Sequence, residues 1–151
     1  MKFKFSLDRV LKHRKTLEDI AQRDFQLALA ELKKEEVNLE NLIAEKNKCY
    51  QITFEKQSHG GNAGTALSQI HEFMKGQDIR IARQKKKIEE CNSKVEELRE
   101  ILLEKAKEYK IISELQDRKR QQFVKEHNKK EALRLDDMNI MRFRFKDEKD
   151  G

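Results

Sequence analysis

The chain has no proline and no tryptophan, and its 151 residues include only five glycines and two cysteines. Without proline, nothing obliges a helix to stop. With 7% aromatic and 36% hydrophobic residues, little is available to fill a wide core. A chain with so thin an interior does not wall off a cleft in which nucleophile, base and orienter could meet, so a non-enzyme is expected. Cys49 and Cys91 have neither CxxC nor metal-ligand spacing and read as reduced thiols of a cytosolic protein. The four histidines are scattered, and neither a metal site nor any other cofactor is expected. No apolar run approaches the roughly 20 residues of a membrane span. The basic N-terminus lacks the apolar stretch of a secretory signal. The Gly-rich run at 60–65 lacks the lysine of a phosphate-binding loop and follows no strand.

What is present is charge and periodicity. Charged residues make up 41% of the chain. Leu67, Ile70, Met74, Gln77, Ile81, Gln84, Ile88, Cys91, Val95, Leu98, Leu102, Lys105, Tyr109, Ile112, Gln116, Lys119 and Phe123 recur at alternating spacings of three and four. That is the seam of a coiled coil on one long helix. A second stripe runs through Leu7, Val10, Leu17, Ala21, Phe25, Ala28, Leu32, Leu39, Leu42, Cys49 and Tyr50, with polar gaps at Arg14, Glu35 and Lys46. Ser6 reads as the cap of the first helix, with Asp8 in its first turn and Phe5 and Val10 as a hydrophobic staple.

Three glycines cluster at Gly60, Gly61 and Gly64. Gly60 suits a helix C′ position and Thr65 an N-cap. The expected fold is all-α: a long antiparallel two-helix coiled-coil hairpin with an overhanging C-terminal helix. It forms one domain over 1–151, with helix 1 at about 6–57, a loop at 58–65, helix 2 at about 66–140 and a frayed tail at 141–151. Gly76 marks a bend or the end of a short helix. Partner numbers should sum to roughly 123, which places Leu42 near Ile81, Leu32 near Cys91, Phe25 near Leu98 and Val10 near Ile112. Cys49 then faces Met74, so an internal disulfide is not expected. Residues 119–140 are left without an intrachain partner, and the tail from Met138 to Phe145 alternates apolar and basic residues.

The net charge is +6, with excesses of +5 over residues 1–16 and +4 over residues 117–134. Acidic residues interleave throughout, so nucleic acid is not the expected partner. A basic helical hairpin on phosphate backbones, a generic coiled-coil adaptor and a homodimeric scaffold are the rival readings.

The opening Phe3-Lys4-Phe5-Ser6-Leu7-Asp8-Arg9-Val10-Leu11 and the closing Lys130-Glu131-Ala132-Leu133-Arg134-Leu135-Asp136 resemble the terminal motifs of the flagellar FliJ family. The resemblance implies a component of the flagellar type III protein export apparatus, cytoplasmic and peripherally associated with the inner membrane. It implies an antiparallel coiled coil similar to the stalk of rotary ATPases, monomeric on its own. Its partners would be the hexameric flagellar export ATPase, the cytoplasmic domain of the membrane export gate, and export chaperones that it escorts. The ATPase end maps to Phe5, Leu7, Arg9, Val10, Arg14, Arg118, Arg120 and Phe123, and the gate-contacting face to Leu42, Tyr50 and Phe73. Glu45 and Cys49 depart from an aromatic-rich face there.

Overall fold

A computed structural model describes residues 2–59 and 64–150. It contains two helices, α1 (Asp8–His59) and α2 (Gly64–Asp150), packed against each other. Contacts divide the chain into two units, one of Met1–Leu17 with Lys105–Gly151 and one of Glu18–Glu104.

The start of α1 differs by one position from the expected cap. The first helical hydrogen bond runs from the Leu11 N–H to the Leu7 carbonyl at 2.9 Å, and the Asp8 N–H closes a turn onto the Phe5 carbonyl. Leu7, and not Ser6, therefore holds the cap position. Asp8 still lies in the first turn and pairs with Lys12 at 3.1 Å, an i,i+4 pair at the positive end of the helix dipole. Thr65 is not a cap either, because α2 already begins at Gly64. The expectation for Gly60 falls outside the described residues. α2 continues through Gly76 as one helix. It also runs to Asp150, through the stretch expected to fray.

The seam of α2 lies where the spacing puts it. Every seam position from Leu67 to Phe123 is buried or half-buried except Lys119, which is exposed. On α1 two apolar residues fall off the seam. Val10 is 38% exposed and Tyr50 is also outward, while Leu11 and Thr53 take the inward positions. The Phe5–Val10 staple is thereby lost. The polar gaps Arg14, Glu35 and Lys46 sit in the seam. Their position is explained by phase: a strict 3-4 repeat admits whatever residue falls on it, and long polar side chains line the seam with their stems.

In the unit Glu18–Glu104 the helices are antiparallel. Arg99 lies over the Phe25 ring, Lys87 pairs with Glu35, and Lys46 with Asp78. Ala21, Ala28 and Val95 are its buried apolar residues. Small residues on one helix facing a larger one on the other permit close approach. Buried polar groups share this core. Gln77 is wholly buried and donates to the Leu42 carbonyl at 2.9 Å and to Glu45 at 3.0 Å, while Arg80 donates to its Oε1 at 2.8 Å. One heptad on, Gln84 donates to both the carbonyl and the carboxylate of Glu35.

Glu35 is buried. Hydrogen bonds from Gln84 first, and then from Lys87, hold its carboxyl below its ordinary value of 4.5. A depressed pKa stabilises the fold above the ordinary value, and that contribution is lost as pH falls through the folded value. Thermal melts from neutral pH to about pH 3 are therefore expected to show a smaller decline for Glu35→Gln than for the parent chain. Parallel profiles would mean that the Glu35 cluster adds nothing.

In the unit of the two chain ends, Ile112 is the buried apolar residue. Arg14 Nη1 donates to the Glu108 carbonyl at 2.9 Å, Lys15 lies over the Tyr109 ring, and the Phe3 ring meets the Phe123 ring at 5.6 Å. From Val124 to Lys149 every α2 residue is exposed except the half-buried Glu131. The overhang thus begins five residues later than expected, because Phe3 lies before α1 and still supplies a partner for Phe123.

Candidate functional site

Two groups of residues were singled out, one in each unit. In the first, residues 2–7 precede α1, and their aromatic side chains meet α2. Phe3, Lys4, Phe5 and Asp8 line one shallow depression with Gln116 and Arg120. Phe123 is held between Phe3 and His127, whose ring stacks on it at 6.4 Å and 9°.

The eight expected residues separate by role. Phe5 and Arg120 share the depression, and Phe123 borders it through Phe3. Arg9, Val10, Arg118 and Arg120 are exposed, offering three guanidinium groups and one apolar side chain to a partner. Leu7 is half-buried. Arg14 is committed to the Glu108 carbonyl and acts first as a tie between the helices. Phe3 was missed as a site residue although it stands in the quoted terminal motif. Its sequence signal is the Phe3-x-Phe5 pair, which places two rings ahead of the helix.

In the second group the three expected residues are not brought together. Leu42 is half-buried, and its carbonyl accepts from Gln77. Tyr50 is exposed and lines a depression with Ile43, Asn47, Asp78, Ile81 and Lys85. The Lys46 ammonium lies over its ring at 5.7 Å, and the ion pair with Asp78 holds that ammonium above its ordinary pKa. Phe73 is outside that depression and lies under the Arg80 guanidinium at 5.6 Å. Glu45, which looked out of place on a docking face, is a partner of Gln77. The Cys49 carbonyl accepts from the Thr53 hydroxyl at 2.8 Å. Phe54, exposed beside Tyr50 in a second depression, was not anticipated.

Cys49 and Cys91 are half-buried free thiols. Among the described residues no cluster of His, Cys, Asp and Glu could hold a metal ion, and no helix is long and apolar enough to cross a membrane. The chemistry on display is that of recognition: half-buried aromatic anchors with the Arg120 guanidinium beside them, residue types common at protein interfaces.

Neither the curated proteins nor the solved structures compared with the chain contain a match. The family model described as flagellar FliJ protein matches residues 3–148, from the Phe3 that closes on Phe123 nearly to the end of α2. With that match over almost its whole length, the chain belongs to the flagellar FliJ family and is a component of flagellar protein export.

Proposed function

We propose that this protein is a non-enzymatic, stalk-like component that binds the hexameric flagellar export ATPase and promotes its activity. The end formed by residues 2–14 and 116–123, with the α2 overhang beyond it, enters the ring. Leu42, Tyr50 and Phe73, each at its own place on the unit Glu18–Glu104, contribute to contact with the cytoplasmic domain of the export gate. The protein escorts export chaperones, is monomeric on its own, and acts in the cytoplasm at the inner membrane.

The observation that supports this reading is the joining of Phe3, Phe5 and Phe123, with Arg120 in the same depression and Arg9 and Arg118 exposed on the same stretches of helix. Half-buried rings together with exposed guanidinium groups fit a lumen of apolar and acidic side chains, and the cations steer the approach. The test is ATP hydrolysis by the export ATPase with and without the protein. Stimulation is expected, and Arg118→Glu with Arg120→Glu is expected to abolish most of it at moderate salt, since both side chains are exposed and the fold does not need them. Failure to stimulate, together with failure to co-sediment with the hexamer, would overturn the stalk reading.

The exposed apolar side chains beyond Phe123 favour one second reading, a homodimeric scaffold. A concentration-independent monomer mass would remove it.

A further inference from the structure

Residues 141–146 read Met-Arg-Phe-Arg-Phe-Lys. In the structure they are helical, and that conformation suits them badly. Two residues advance about 200° around a helix, so Met141 and Phe145 share one face while Phe143 stands on the opposite one. Phe143 lies there with Ile140, Asp136 and Asp147. Met141, Phe143 and Phe145 are 70%, 70% and 69% exposed. As a helix, the segment cannot press all three against one surface. In an extended strand side chains alternate with a period of two. Met141, Phe143 and Phe145 then line one face, and Arg142, Arg144 and Lys146 line the other.

We propose that residues 141–146 form a docking strand that unwinds from α2 and adds to the open sheet edge of an acidic partner protein. Backbone hydrogen bonds supply the affinity, and the alternating side chains supply the selection. The partner edge carries carboxylates on the face opposite Arg142, Arg144 and Lys146, and apolar residues under Met141, Phe143 and Phe145. Charge decides against a second copy of this chain, because antiparallel self-pairing sets cations against cations, which is destabilising. Geometry decides against a lipid surface, because an interfacial helix needs its apolar residues on one face.

The probe is a soluble peptide alternating Glu and Val, added to the full-length protein. The readout is the backbone carbon chemical shifts of residues 141–146 by NMR. Those shifts are expected to move from helical to extended values on binding, while residues 124–136 stay helical. Reversing the three cations (Arg142→Glu, Arg144→Glu and Lys146→Glu) is expected to weaken binding at least about tenfold. A second variant, Phe143→Arg with Arg144→Phe, keeps the composition and breaks the alternation, and it is expected to lose the shift change. Absence of binding, binding with helical shifts, or equal binding by the second variant would each overturn the proposal. So would equal helical binding of parent and variants to phosphatidylglycerol vesicles.

Discussion

Gln77→Ala is expected to destabilise the chain by about 2–3 kcal/mol, which lowers the midpoint of thermal unfolding by about 4–10 °C. Among the described residues Gln77 is the one side chain with 0% exposure, and all its polar atoms are engaged. Its amide donates twice, to the Leu42 carbonyl and Glu45, and its carbonyl accepts once, from Arg80. Alanine removes the three bonds together and leaves a void against α1. Gln77→Leu separates the two components, since it fills the space without the bonds. Its midpoint is expected to fall less than that of Gln77→Ala, because leucine leaves no void while the exposed Glu45 and Arg80 side chains can turn to water. What it loses is the definition of register, which a polar seam residue enforces. Disulfide trapping between Lys46→Cys and Asp78→Cys, which replace a paired ammonium and carboxylate, is expected to fall when Gln77→Leu is added. If Gln77→Ala melts with the parent, the clamp is not a source of stability.

Val95→Asp is expected to cost more, about 3–5 kcal/mol, the size of a buried charge left without its partner. Val95 is 5% exposed and shares its apolar core with Ala21 and Ala28. Ile79→Asp is the control on the same helix and in the same unit. Ile79 is 55% exposed, so its change is expected to stay within about 0.5 kcal/mol. Urea unfolding of the two variants measures the difference. Equal costs would mean that the seam is not where the stability resides.

The 3-4 spacing made the seam of α2 readable almost position by position, because it depends on the phase of the repeat and not on each residue's polarity. On α1 the same logic was applied to apolar residues alone, and it failed where apolar residues leave the phase. Val10 reads inward by its apolarity, yet Leu11 occupies that place, whereas Tyr50, beside the Cys49 seam position, is exposed as its place in the repeat implies. The roles of Gln77 and Gln84 were not readable as bonds, because each donates to a backbone carbonyl of α1, which no residue type announces. Phe3 was hidden for another reason: it lies outside any helix, so no periodicity assigns it a face. The alternation at 141–146 was visible, and its conflict with a helix became clear only once α2 was seen to extend through it. The eight residues of the chain-end group could be named from terminal motifs. Their division into anchors, rim and the Arg14 tie required the geometry.

The two glutamine clamps stand one heptad apart on α2, and the carbonyls they grip, Leu42 and Glu35, stand one heptad apart on α1. Together they work like a vernier. If α2 slid by seven residues so that Gln84 took the place of Gln77, it would meet Leu42 and Glu45 and remain satisfied. Gln77 would then face Cys49 and Ile52, where no carboxylate waits and the Cys49 carbonyl already serves Thr53. A hairpin misaligned in that direction thus loses a whole clamp at its first heptad step.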